Sequence, residues 1–400
     1  DGVARPVAGV ELAAVSAGLK SGQQLDLAVL RLPPGIRTAA VFTRNVFTAA
    51  PIHVARRHWA RGEARALLIN AGCANAATGA AGEQDAEAMC AAAARACGVP
   101  AEAVLPFSTG VIGQRLVERA PMSAIEAAIA SCGQSLAPGR WLEAARALMT
   151  TDTWPKVASR EAALSQGTVN VTGIAKGSGM IRPDMATMLG FVATDAVADQ
   201  GDVDRMLRDA VAASFHCITV DGDTSTNDAV TLSACGAGGV AVTTDGDRAA
   251  LAEAVRAVCV DLAQAIVRDA EGATRFIEVS VEQGQTGEEC REVAFTVAHS
   301  PLVKTALFGG DPNWGRILAA VGRADVPGLD GTGVDIDLGS MPVVAAGQPV
   351  PGFDEARAAA LVAQAAVRIT IRLGRGEANA HVWTSDLSYD YVRINADYHT

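Results

Sequence analysis

Lys176-Gly-Ser-Gly-Met-Ile-Arg-Pro-Asp-Met-Ala-Thr187-Met-Leu-Gly190 is the most informative stretch of the chain. Two glycines flank Ser178, Pro183 restrains the approach, and Thr187 stands between small or apolar neighbours. Such a composition suits a tight, largely buried turn that presents one hydroxyl. Glycines at 173, 177, 179 and 190 with β-branched residues around them predict strand–turn–strand over 168–196. An interior threonine is a poor nucleophile, because its hydroxyl is protonated and has no built-in base. Cutting the Ala186–Thr187 peptide would give Thr187 a free α-amine, which titrates near ~7.7–8.0 and can serve as base at neutral pH. From these residues alone an ordinary Gly-rich hairpin, in which Thr187 only bonds its own backbone, is the preferred reading.

Working outward, the chain has 400 residues, half of them apolar and only 4% aromatic. It is long enough for more than one packed lobe, and its alanine and glycine content favours close helix–sheet packing. Helical and strand periodicities interleave, with several strands adjacent, which predicts α/β of the α+β type: sheets covered by helices. Strands are expected in 1–60 (25–32 and 38–42), at 64–70, 276–281 and 367–373. Helices are expected at 84–97, 123–131, 140–149, 203–215 with Asp202 as cap, 248–270 and 355–365. The loop 71–79 and the stretch 107–113 read as turns.

A net charge of −11 disfavours nucleic-acid or anionic-membrane partners. No run is apolar enough for a membrane helix, and no basic-then-apolar leader is visible. Eight scattered cysteines predict reduced, buried thiols of a cytoplasmic protein, and six dispersed histidines predict no metal site. Asp221-Gly-Asp-Thr-Ser-Thr-Asn-Asp228 invites a calcium reading but fails the spacing, with Thr226 where Gly is needed and Leu232 where Glu is needed. It reads as an Asx-rich turn.

Five further segments could carry chemistry. Phe107-Ser-Thr109-Gly110-Val-Ile-Gly113 offers several backbone amides to an anion. Met149-Thr150-Thr151-Asp152-Thr153 resembles a polar cap after a helix. Lys176 sits in a confined Gly/Ala neighbourhood. Glu271-Gly-Ala-Thr274 ends the long helix, where a carboxylate wants a cationic partner. The alternating segment 385–394 leads to Asn395-Ala-Asp-Tyr-His-Thr400.

Together with Ala186-Thr-Met-Leu189, the Asp221–Asp228 run and Asp311-Pro-Asn-Trp-Gly-Arg316, these segments resemble the ornithine acetyltransferases (glutamate N-acetyltransferases of arginine biosynthesis) along essentially the whole chain. The resemblance implies a layered sandwich, self-cleaved into an α chain (1–186) and a β chain (187–400) that intertwine as α2β2. It implies Thr187 as nucleophile, with Thr109 and Gly110 as oxyanion hole. Substrate contacts would be Thr150 (or Thr151), Lys176, Thr187, Glu271, Asn395 and Thr400. Lys176 would meet the α-carboxylate, and Glu271 with the tail would meet the δ-ammonium of ornithine. Small-molecule substrates, N-acetylornithine and glutamate, are implied without a cofactor, and acetyl-coenzyme A use is left open. Cys73 departs from the family pattern, which more often has Asn there. Alternatives are an N-terminal-nucleophile aminopeptidase or amidase, and an unprocessed amino-acid-binding protein.

Overall fold

The computed structural model describes residues 4–182 and 188–397. The chain forms two compact units. The first takes in the described chain up to His216 together with Asp223–Ile266, and the second takes in Cys217–Gly222 and the chain from Val267 onward.

In the first unit, β1 (Glu11–Val15), β2 (Leu27–Arg31), β4 (Ala66–Cys73) and β5 (Val104–Val111) form a four-stranded sheet in that order. A five-stranded sheet runs β3 (Arg37–Phe42), β9 (Ala229–Ala234), β8 (Leu189–Thr194), β7 (Gly167–Lys176), β6 (Lys156–Leu164). Period-two alternation sorts the side chains. Ala28 and Leu30 of β2, Leu67 and Ile69 of β4, and Leu105 and Phe107 of β5 share one core with Leu189, Phe191 and Ala193 of β8. Leu27 and Val29 face the other way, against Met89 and Cys90 of α2 (Gly79–Cys97) and Ile125 and Ile129 of α4 (Met122–Ser135). Beyond the five-stranded sheet lies α7 (Asp245–Arg268), whose Val258 and Leu262 approach the bare Cα of Gly173 on β7. The first unit is therefore helix, sheet, sheet, helix, the layered sandwich that the resemblance implies. The Phe107 and Phe191 rings meet edge-on across its core, centroids 5.0 Å apart, which adds about 0.5–1.5 kcal/mol beyond their burial.

The second unit carries a six-stranded sheet in the order β13 (Gln348–Pro349), β12 (Met341–Ala345), β11 (Asp335–Leu338), β14 (Ala366–Arg372), β10 (Phe276–Gly284), β15 (Ala378–Ser385). Its apolar face packs on α8 (Gly287–Ala298), α9 (Pro301–Phe308), α10 (Trp314–Gly322) and α11 (Glu355–Val362).

Several expectations are corrected. Residues 50–59 form a helix, α1 (Ala50–Trp59), with proline in its first turn where no N–H is needed. Thr109 and Gly110 lie on a strand, not in a turn, and β4 extends through Cys73. The cap of α6 (Gln200–Ala212) is Asp199, which accepts the Asp202 N–H. Asn313-Trp-Gly begins α10, because the Asn313 side chain accepts the Arg316 N–H at 3.1 Å. The alternating tail is helical, α12 (Tyr389–Asp397), with no buried residue. All eight cysteines are buried, as expected. Among the described residues, no helix is long and apolar enough to cross a membrane.

Candidate active site

Parallel pairing of β4 with β5 sets Gly72 opposite Gly110. Here glycine is required: Gly110 has φ +128°, and a Cβ there would stand 2.4 Å from the Gly72 carbonyl carbon. The two strands thus close up at their ends, and the chain at Thr109–Gly110 is held against its neighbour. Asn70 fastens the same corner, accepting from the Ser108 hydroxyl at 2.5 Å and donating to the Cys73 carbonyl at 2.9 Å. Cys73 is fully buried, its thiol directed at the Gln114 carbonyl, and burial raises its pKa.

Lys176 closes β7 and pairs in register with Leu189 of β8. Its Nζ donates to Thr109 Oγ1 at 3.1 Å. The hydroxyl of Thr109 thereby receives a proton from the ammonium, and its own proton remains for another acceptor. Sequence reasoning assigned Lys176 to a substrate carboxylate; the structure adds that it touches the oxyanion-hole candidate itself.

Behind this pair lies a buried cluster that the sequence did not disclose. The Asp152 and Lys156 side chains are wholly buried and joined, Nζ to Oδ1, at 2.6 Å. Asp152 also accepts the Gly177 N–H at 2.8 Å and the Thr150 N–H at 3.0 Å. Burial alone would raise the Asp152 carboxyl, but the charges of Lys156 and Lys176 and the Gly177 N–H outweigh it, and its pKa is lowered to about 2. One carboxylate thus ties the segment at Thr150 to the segment after Lys176. The Thr151 hydroxyl meets Ser178 Oγ at 2.7 Å, a second link between the same segments. Lys20 belongs to this neighbourhood too: burial lowers its pKa to about 8, against the attraction of Asp26 and Asp152. The only sequence signal for Asp152 is its place two residues after Thr150, the spacing of a side chain bonding back to its own turn.

In the second unit, Glu271 stands three residues beyond the end of α7 rather than on its last turn. It is buried, and its Oε2 accepts from Asn395 Nδ2 at 2.7 Å. Its partner within the chain is therefore an amide. Asn395 also donates to the Tyr391 carbonyl one turn back, and the Ser388 hydroxyl donates to the Gly272 carbonyl at 2.6 Å. These contacts hold the beginning and end of α12 to the Glu271 turn.

The structure therefore joins Thr109, Gly110, Thr150 and Lys176 within the first unit, and Glu271 and Asn395 within the second. Ala186, Thr187 and Thr400 lie outside the described residues.

The ArgJ family model matches residues 11–400. The arginine biosynthesis bifunctional protein ArgJ of Pseudomonas syringae pv. tomato is 48% identical over 398 residues, covering 99% of this chain and 97% of that protein. The protein of the same name from Pseudomonas fluorescens is 47% identical with the same coverage. A crystal structure of arginine biosynthesis bifunctional protein ArgJ from Bacillus halodurans is 41% identical with a TM-score of 0.51. It covers 53% of this chain and 100% of its own. By its match along nearly the whole sequence, this chain belongs to the ArgJ family.

Proposed function

We propose that this protein is an acetyltransferase of arginine biosynthesis that cleaves itself before Thr187 and carries acetyl groups on the new N-terminal threonine. The observation that carries this reading is the Lys176–Thr109 contact, anchored from behind by Asp152. Acyl transfer needs donors fixed in advance where a carbonyl oxygen becomes an oxyanion, and losing one costs about 2.7–4 kcal/mol of barrier. A hydroxyl whose oxygen already receives a lysine proton has its own proton free for that oxyanion. The Gly110 N–H is the second donor.

In this mechanism the Thr187 amine, directly or through water, takes the hydroxyl proton while the oxygen attacks the acetamide of N-acetylornithine. The tetrahedral intermediate collapses, the proton passes to the departing nitrogen, and ornithine leaves an acetyl-threonine ester. The amine of glutamate attacks that ester, N-acetylglutamate forms, and the Thr187 hydroxyl is restored. Lys176 attracts the α-carboxylate common to both substrates, while Glu271, Asn395 and Thr400 meet the side-chain end. Thr150 is the further substrate contact. Self-cleavage is supported by the Bacillus chain. It is matched in full and covers 53% of this sequence, the share a chain starting at Thr187 would have. The same reading carries α2β2 assembly in the cytoplasm, small-molecule substrates and no resident cofactor.

Initial-rate plots against N-acetylornithine at several glutamate concentrations test the covalent route. Parallel lines are expected; intersecting lines would contradict an acetyl-enzyme. Ornithine release at an undiminished rate without glutamate would instead indicate a hydrolase. Glutamate acetylation with acetyl-coenzyme A as sole donor would add the second activity that the family resemblance leaves open.

A further inference from the structure

Helix α12 presents its apolar side chains to solvent and its polar ones to the protein. Tyr389 is 84% and Val392 63% exposed, and no residue of the helix is buried. Ser388, just before the helix, then Tyr391 and Asn395 are spaced three and four apart, which places them on one face. Each has a donor engaged by the second unit. The Ser388 hydroxyl donates to the Gly272 carbonyl at 2.6 Å, the Tyr391 hydroxyl to Asp221 Oδ2 at 3.3 Å, and Asn395 Nδ2 to Glu271 Oε2 at 2.7 Å. The turn beneath is shaped to receive them: Gly272 has φ +67°, and a Cβ there would stand 2.5 Å from the Tyr391 nitrogen.

The chain entering α12 is fixed. The buried Lys304 ammonium donates to Thr384 Oγ1 at 2.9 Å and to the Ser385 carbonyl, and the Lys304 carbonyl accepts the Leu387 N–H at 3.3 Å. The segment that carries Asp221 is fixed as well. Ile218 pairs with Trp383 of β15, the Thr219 N–H donates to the Trp383 carbonyl at 3.0 Å, and Thr219 Oγ1 meets His299 Nε2 at 2.9 Å. Tyr391 thus ties a helix without apolar burial to a braced strand edge. Asn395 lies one turn further on, and its Nδ2 also donates to the Tyr391 carbonyl at 3.0 Å.

We propose that Asp221 and Tyr391 are positioning residues for substrate recognition: their hydrogen bond pins the middle of α12 and so holds the Asn395 amide at the Glu271 carboxylate. The inference rests on the acetyltransfer reading above, in which Glu271 and Asn395 meet the side-chain end of the substrate. An ammonium arriving at Glu271 competes with Asn395 Nδ2 for one carboxylate. With Tyr391 pinned, rotation of the amide side chain makes room while α12 stays in place. Without that bond, the turn that carries Asn395 is released along with the amide. Loss of the Tyr391 hydroxyl is therefore felt in binding and not in the chemical step.

The test compares Y391F, D221A, D221N and Y391F/N395A in the full-length chain. Three quantities are read: initial rates at varied N-acetylornithine, ornithine binding by calorimetry, and limited trypsin digestion. The Arg393 side chain on α12 is 71% exposed, so loosening of the helix appears as release of the peptide beginning at Ile394. Y391F and D221A are each expected to raise KM and the ornithine Kd about three- to tenfold, the effect of one hydrogen bond, with kcat within about twofold. Trypsin should release the peptide faster by a similar factor. D221N keeps an oxygen acceptor for the Tyr391 hydroxyl and should stay within about twofold of wild type in all three readouts. Y391F/N395A should have the KM of N395A, because Tyr391 acts through Asn395. Should D221A not fold, Y391F, which removes a single oxygen, carries the test. Unchanged ornithine binding in Y391F would overturn the proposal, whatever the digestion shows. So would a fall in kcat at unchanged KM, multiplied effects in Y391F/N395A, or a D221N variant as impaired as D221A. Weaker ornithine binding by Y391F, in a protein whose wild type transfers no acetyl group, would sink the acetyltransfer reading and keep the positioning role.

Discussion

The cluster around Lys176 and the pair Glu271–Asn395 are built in opposite ways. In the first, Asp152 and Lys156 are wholly buried, and the carboxylate collects the Gly177 and Thr150 amides as well as the ammonium. In the second, a buried carboxylate meets an amide on α12, a helix with no buried residue, whose Tyr389 is 84% exposed. The first arrangement has one geometry; the second can be remade at little cost. In our reading the acyl chemistry is the same in both half-reactions, whereas donor and acceptor differ at their side-chain ends, a cation in ornithine and an anion in glutamate. Rigidity at the chemistry and adjustability at recognition is what an enzyme with two different substrates requires.

The largest expected effect is on stability. D152A removes the wholly buried carboxylate that pairs with Lys156, which should cost about 3–5 kcal/mol, read as a fall in the denaturation midpoint. A loss below 1 kcal/mol would mean that the cluster relaxes, and the contrast with Glu271–Asn395 would break. Next, K176M should lower kcat by about 100- to 1,000-fold, the cost of a weakened oxyanion hole. A change confined to KM would return Lys176 to substrate binding alone.

Alkaline pH separates the two units. Burial raises the pKa of every cysteine, Cys132, Cys235 and Cys259 to about 12. Above about pH 8.5 the unfolded chain loses thiol protons that the folded chain keeps, so this stabilisation is lost as pH rises. Lys20 and Lys304, lowered to about 8 by burial, act in the opposite sense, one in each unit. Six of the eight thiols lie in the first unit and two, Cys217 and Cys290, in the second. Under reducing conditions at pH 9.5, pulse proteolysis should therefore open the first unit before the second; the reverse order would contradict this assignment. The smallest effect belongs to N395A. It should raise KM a few-fold, leave kcat within twofold and lower stability by about 1 kcal/mol, the cost of a partner lost to the Glu271 carboxylate.

Much of the fold was legible because its signals are local. Buried strands such as β4 and β8 read as apolar runs, α2 is stopped by Gly98 in the left-handed conformation, and β14 and α11 follow their periodicities. What failed was also local in appearance but settled by tertiary context. The tail 385–394 alternates, yet α12 forms because its Asn395 and Ser388 contacts fasten it to the Glu271 turn. Thr109-Gly110 looks like a turn and is a strand, since only pairing with Gly72 reveals the close approach. Of the site, Thr109, Lys176, Glu271 and Asn395 were named from motifs, and the structure brings them together in pairs. Asp152 and Asn227 escaped notice because the contacts that tie distant segments together, to the Gly177 N–H and to the Ala74 and Ser108 carbonyls, lie far away in sequence, and no spacing encodes that.

The central claim is that Thr187 becomes an N-terminal nucleophile by self-cleavage. The most direct test is the intact mass of the purified protein under denaturing conditions, beside a T187A variant. Two fragments of about 19 and 22 kDa in the wild type, from a chain of 40.9 kDa, with a single uncut chain in the variant, are predicted. A single uncut chain in both would remove the free amine on which the mechanism depends, and would leave an amino-acid-binding protein or an unprocessed precursor.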